Sequence, residues 1–198
     1  YKRQAYKGLA LLAATAMMLR LELVCLAVPA YLWTWWHHQR RFVYVFMTGA
    51  VTCAGSIALS VLVDSYFWRK RFLWPEGHAV IFNVIEGRSA EWGVSPPWTY
   101  VVRDLPRILF AAFPLALLGC TRRSSFRSPL VLLICTHVGL MSFLAHKEWR
   151  FLVYIVPLCN MLAAQGASML IRTYLGRWLM LGLVGTSAAL WILSLIHI

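Results

Sequence analysis

Charge is scarce in this chain, and acid is scarcer than base. Only 13% of its 198 residues are Asp, Glu, Lys or Arg, against about 25% in a soluble domain, while 61% are apolar. Apolar runs follow one another too closely for a single globular core, which excludes an ordinary soluble fold. Acidic residues number 7 against 19 basic ones, a net charge of +12. Much of that excess sits in short loops between apolar runs, where membrane topology accounts for it without nucleic acid. Cys25, Cys53, Cys120, Cys135 and Cys159 lie in or beside apolar runs with no metal-type spacing. They read as small packing residues, so neither a disulfide framework nor a metal site is expected. Internal repeats, low-complexity tracts and a cleavable signal pattern are also missing. The chain opens on Tyr1 and reads as starting mid-protein. Residues Leu193 to Ile198 match the translation of a common sequencing adaptor and read as a tail, which leaves residues 1–192 as one polytopic membrane domain.

What is present is a series of apolar runs long enough to cross a hydrocarbon layer of roughly 30 Å at about 1.5 Å per residue. Backbone polar groups cannot stay bare in lipid, and the Leu/Ala content selects helices over a barrel. About six spans are expected: Gly8–Trp36, interrupted by Arg20 and Glu22, then Phe42–Val63, Ile108–Cys120, Pro129–Ala145, Phe151–Ile171 and Trp178 to about Ile192. The first fits one long span or two half-spans broken at Arg20. The fold class is therefore an all-α, multispanning membrane bundle.

The loops sort by charge. His37-His38-Gln39-Arg40-Arg41, Thr121 to Arg127 and Arg172 to Arg177 carry Arg and no acid. The positive-inside rule places them in the cytoplasm, which puts Asp64–Asp104 and His146–Arg150 together on the opposite side.

Asp64–Asp104 is too long for a plain connection and too aromatic for a disordered one. Its short apolar stretch between Gly77 and Gly87 suits a helix lying in the membrane interface. Trp and Tyr at headgroup depth account for part of its composition. The interleaved acids Asp64, Glu76, Glu86, Glu91 and Asp104 are not explained that way. Carboxylates beside aromatic faces, such as Asp64 and Glu76 with Trp74 and Trp92, suit a sugar: rings stack on its apolar face and acids accept from its hydroxyls. The second signal is His146-Lys147-Glu148-Trp149-Arg150-Phe151, wedged between two apolar runs. Ionisable residues at a membrane edge are costly to desolvate and mark candidate sites. His146, Lys147 and Arg150 form a compact donor set for a phosphate, with Glu148 orienting a basic neighbour. Snorkelling of Lys147 and Arg150 to the headgroups is the competing reading.

His146-Lys147-Glu148-Trp149-Arg150-Phe151 resembles the HKE-x-RF motif of mannosyltransferases that use dolichyl-phosphate-mannose, glycosyltransferase family 22, with the multispanning GT-C fold. Asp64 to Trp68, Leu73 to Gly77, Phe82-Asn83, Trp92 to Pro96, Leu105-Pro106-Arg107, and Pro157 to Ala164 with Gly166 follow in the order seen in its α-1,6 members. Arg20-Leu21-Glu22-Leu23 is similar to their Arg-x-Glu-Leu segment, and the likeness spans roughly residues 15–175. Trp149 departs from the expected Leu. The resemblance implies an inverting transfer of mannose from dolichyl-phosphate-mannose to a dolichol-linked oligosaccharide, in the endoplasmic-reticulum membrane, without a cofactor. For that chemistry the residues' own character assigns donor-phosphate binding to His146, Lys147 and Arg150, positioning to Glu148, and acceptor binding to Asp64, Trp74, Glu76 and Trp92, with Asp64 also open as a base. It also implies that the catalytic carboxylate lies upstream of Tyr1, so that this segment alone is inactive.

Sibling enzymes of glycolipid-anchor synthesis share the motif. A transporter or flippase is a second class, for which Arg20/Glu22 and Asn160/Gln165 are the mid-membrane polar candidates. A non-catalytic scaffold would leave the long loop without a purpose. The topology makes a direct prediction: accessibility reporters beside Ser89 and Lys147 should label from one side of the membrane, and those beside Arg40, Arg123 and Arg177 from the other. Ser89 and Arg123 labelling from the same side would contradict it.

Overall fold

The computed structural model describes residues 2–37, 42–126 and 128–196. His38 to Arg41, Arg127, His197 and Ile198, invoked above for the cytoplasmic loops and the tail, lie outside the described residues. The chain runs through α1 (Lys2–Met18), α2 (Val24–His37), α3 (Phe42–Trp68), α4 (Pro75–Val80), α5 (Leu105–Leu109), α6 (Ala112–Cys120), α7 (Arg123–Phe126), α8 (Pro129–Ser142), α9 (Val156–Leu170) and α10 (Tyr174–Ile196). Among the described residues, Val43–Trp68, Trp149–Leu170 and Tyr174–Leu193 are long and apolar enough to cross a membrane, while Tyr6–Met18 and Pro129–Ser142 are shorter apolar helices. The large side chains these long helices leave exposed are those lipid tolerates: Val43, Phe46, Val51 and Leu62 on α3, and Leu181, Val184 and Leu190 on α10. The chain is an all-helical membrane protein.

Two compact units divide it, the first comprising Tyr1–Pro97 and Thr136–Phe151, the second Trp98–Cys135 and Leu152–Ile198. In the first unit α1 packs on α3, burying Ala13, Ala16 and Val45 and setting the Tyr6 ring edge-on to Tyr44 at 5.1 Å. The interrupted first run resolves as two helices. Leu19 and Arg20 both direct their N–H groups to the Thr15 carbonyl, Arg20 is extended, and a 3₁₀ turn over Leu21–Leu23 leads into α2. Two side chains from far along the chain hold this break. The Glu76 carboxylate accepts the Leu21 N–H at 2.8 Å, and the Trp74 indole donates to the Met17 carbonyl at 2.9 Å.

The loop expected from Asp64 begins later. Helix α3 continues to Trp68, because Asp64 does not end it: Ser60, one turn back, donates to Asp64 Oδ2 at 2.6 Å. The turn comes at Arg69 and Phe72, both at positive φ, with Leu73 N–H bonded to Ser65 Oγ at 2.9 Å. The expected short helix between Gly77 and Gly87 is present as α4 and a π-helical turn, Ile81–Ile85.

In the second unit α6 lies against α9 around Leu115, Ala116, Leu130, Leu162 and Ala163. Gly119 and Gly166 set their distance. A Cβ on Gly119 would collide with the Leu162 carbonyl, and one on Gly166 with the Leu115 carbonyl. Small residues allow this backbone approach, which in lipid replaces the hydrophobic drive between helices. The Ser125 hydroxyl closes the loop after α6, bonding the Gly119 carbonyl and Gln165 Oε1 at 2.7 Å each. Gly166→Ala should therefore cost about 1–3 kcal/mol through overpacking, read as a lower unfolding midpoint in detergent. An unchanged midpoint would mean that α6 and α9 are not seated as described.

Candidate functional site

The residues of interest gather in the first unit around a cavity of about 1170 Å³. Much of its wall is apolar, from Val24, Ala79, Val80, Leu140, Leu144 and Phe151, and its polar lining includes Glu22, Glu76, Asn83, Trp92, His146 and Glu148. Among the described residues no Lys or Arg lines it. A large apolar cavity with a few convergent polar groups is the usual form of a small-molecule site.

Each polar group is positioned by local structure. Pro75 at the start of α4 supplies the helical φ without wasting an N–H, and Glu76 beside it places negative charge at the helix N-terminus. Trp74 lies so close over Gly77 that a Cβ there would enter its ring. Trp92 ends a 3₁₀ turn, Arg88–Trp92, entered through Gly87 at φ 66° and left through Gly93 at φ 112°. Arg88 braces that turn, bonding Glu91 Oε1 at 2.8 Å and covering the Phe82 ring at 4.3 Å. The Arg88 bond holds the exposed Glu91 carboxyl below its ordinary pKa. Trp92 itself is 69% exposed, with its ring free to be covered by a ligand.

The His146–Arg150 loop is organised around Glu148. Its Oε2 accepts from Arg150 Nε at 2.7 Å and from a second nitrogen of the same guanidinium, while Oε1 lies 3.5 Å from His146 Nε2. Gly93 gives the approach between the two loops: its Cβ position lies 3.7 Å from His146 Nδ1. Lys147 points elsewhere. It is buried, its ammonium donates to the carbonyls of Ser95 at 3.0 Å and Leu144 at 2.6 Å, and beside it Ser95 N–H bonds the Ala145 carbonyl at 3.0 Å. Burial pushes its pKa below the ordinary ammonium value.

Of the residues singled out in the sequence, Glu76, Trp92, His146 and Glu148 meet at the cavity. Arg150 stands behind Glu148. Lys147 clamps one loop to the other. Asp64 and Trp74 do not line the cavity: Asp64 is bonded within α3, and Trp74 braces the helix break. Glu22 and Asn83 line it without having been candidates for binding a sugar or a phosphate. The signal for Glu22 was in view, as an acid interrupting an apolar run, but composition alone gave it no partner. Among the described residues no three His, Cys, Asp or Glu side chains converge as metal ligands.

Comparison with known proteins follows the same line. All of residues 1–198 match the Alg9-like mannosyltransferase family. A Schizosaccharomyces pombe protein named probable Dol-P-Man:Man(7)GlcNAc(2)-PP-Dol alpha-1,6-mannosyltransferase is 36% identical over 177 residues, 85% of this chain and 31% of that protein. The Drosophila melanogaster protein of the same reaction name is 44% identical over 108 residues, 54% of this chain and 16% of that protein. A Danio rerio GPI alpha-1,2-mannosyltransferase 3 is 31% identical over 104 residues, 52% of this chain and 19% of that protein. The chain thus spans less than a third of the length of these relatives. No solved structure matches it.

The Lys147 clamp is open to test. Lys147→Met keeps the aliphatic stem and removes the ammonium, leaving two carbonyls without their donor, at about 1–3 kcal/mol. Amide hydrogen exchange over residues 93–95 should quicken in the variant. Unchanged exchange there would show that the ammonium does not hold the loop.

Proposed function

Because the chain belongs to the Alg9-like mannosyltransferase family, we propose that it forms a substrate-binding part of an enzyme transferring mannose from dolichyl-phosphate-mannose to a dolichol-linked oligosaccharide. The linkage made is α-1,6, the acceptor carries seven mannoses, and the enzyme works in the endoplasmic-reticulum membrane. The cavity supports this reading: it joins an apolar wall suited to a prenyl chain with His146 on its lining, while Arg150, exposed and paired with Glu148, stands outside that lining as a phosphate ligand.

The chemistry is one in-line displacement. The acceptor hydroxyl oxygen bonds to the anomeric carbon of the donor mannose as the bond from that carbon to the phosphate oxygen breaks. The hydroxyl proton passes to a general base, and dolichyl phosphate departs as an anion. Negative charge grows on the departing phosphate, and His146 and Arg150 are the groups that meet it. Glu148 holds both in place. Lys147, committed to two carbonyls, acts by fixing the loop that carries His146. Trp92 offers an exposed ring for stacking against the acceptor glycan.

The glycolipid-anchor siblings are the second reading, drawn from the 31% identity to the Danio rerio protein. The α-1,6 reaction is favoured because the 36% and 44% relatives carry that name.

Two substitutions in the full-length enzyme separate the roles. Arg150→Ala should weaken apparent donor affinity about 10- to 100-fold, the effect of one charge-assisted hydrogen bond, with the acceptor KM little changed. Trp92→Ala should do the reverse, raising the acceptor KM. Normal donor kinetics in a folded Arg150→Ala enzyme would reduce that residue to a headgroup anchor, and a donor-only effect of Trp92→Ala would assign its loop to the other substrate.

A further inference from the structure

We infer that Glu22 and Glu76 form a hydroxyl-binding subsite for a neutral hexose on the cavity wall, an inference that rests on the function proposed above. The two carboxylates are placed together by construction. Glu76 Oε2 accepts the N–H of Leu21, the residue immediately before Glu22, at 2.8 Å, and both side chains line the cavity. The Trp74–Met17 bond braces the same break. Glu22 therefore stands on a fixed turn, not on a frayed helix end.

Its charge is poorly answered from within the protein. Among the described residues its ion pair is with Arg20, 4.0 Å from Oε1 with a side chain 57% exposed, a loose and solvent-screened pair. Glu22 Oε2 is closed to water and accepts no hydrogen bond among the described residues. A carboxylate offers about four acceptor positions, and a buried acceptor without a donor is costly. Its terminal torsion is soft, so a small turn presents either oxygen to a donor in the cavity.

The lining selects the ligand. Glu148 is already paired with Arg150 and His146, whereas among the described residues no Lys or Arg lines the cavity beside Glu22 and Glu76. Two carboxylates repel a phosphate and suit a ligand that donates hydrogen bonds without carrying negative charge. Sugar hydroxyls do this, with Asn83 on the same lining to donate and accept in turn. The mannose of the donor and a terminal mannose of the acceptor share that chemistry.

The test uses the full-length enzyme in proteoliposomes, with donor and acceptor varied separately for wild type, Glu22→Gln and Glu22→Asp. Glu22→Gln keeps the shape and removes the charge. It should raise KM for one of the two sugar substrates by about 10- to 100-fold, with kcat far less affected, and the affected substrate identifies which mannose is held. Glu22→Asp keeps the charge and should recover part of the loss. If Glu22→Gln fails to fold, the same split is read from Glu22→Asp, which withdraws the carboxylate by one methylene. Unchanged KM for both substrates in a folded variant overturns the subsite while leaving the transferase reading intact. A wild-type enzyme that transfers no mannose overturns the transferase reading, and the subsite with it.

Discussion

A helix broken inside an apolar segment leaves backbone groups that lipid cannot satisfy, so the break persists only where other parts of the chain bond it. Here the gap between α1 and α2 is held by the Glu76 carboxylate on the Leu21 N–H and by the Trp74 indole on the Met17 carbonyl. Both come from Trp74-Pro75-Glu76, more than fifty residues along the chain. The same contacts that satisfy the break draw α4 against it, and the cavity opens beside α4 with Glu22 and Glu76 in its wall. Were the first apolar run a single unbroken helix, Leu21 N–H would bond within it and Glu76 would lose its anchor.

The second constraint is the separation of charge within the first unit. Lys147 turns its ammonium into the protein and ties Ser95 to the turn before it. Glu148 gathers Arg150 and His146 on its two oxygens. Among the described residues the ionisable side chains on the cavity lining include Glu22, Glu76, Glu148 and His146, while Lys147 and Arg150 are not part of it.

Much of this was legible in the sequence, because it follows from composition and short-range pattern. The helical membrane class, the interruption at Arg20, the short helix after Gly77 and the pairing of Glu148 with its basic neighbours all lie within a few residues of the signals that announce them. What pattern could not give was the direction of a side chain. Asp64 marks the end of an apolar run, yet Ser60 satisfies it and α3 continues to Trp68. Lys147 has the composition of a phosphate ligand, yet two carbonyls take its donors. Trp74 has the composition of a sugar platform, yet its N–H is claimed by Met17. Glu22 was visible as an oddity, but its place beside Glu76 depends on a contact across fifty-five positions.

The central claim is that this cavity serves mannose transfer to a lipid-linked glycan through an α-1,6 linkage. The most direct measurement is to purify the full-length protein, supply dolichyl-phosphate-mannose with the seven-mannose dolichol-linked oligosaccharide, and determine the linkage of the product. The account predicts one added mannose, removed by an α-1,6-specific mannosidase and not by an α-1,2-specific one. An α-1,2-linked product, or transfer only to a glycolipid-anchor precursor, would contradict it.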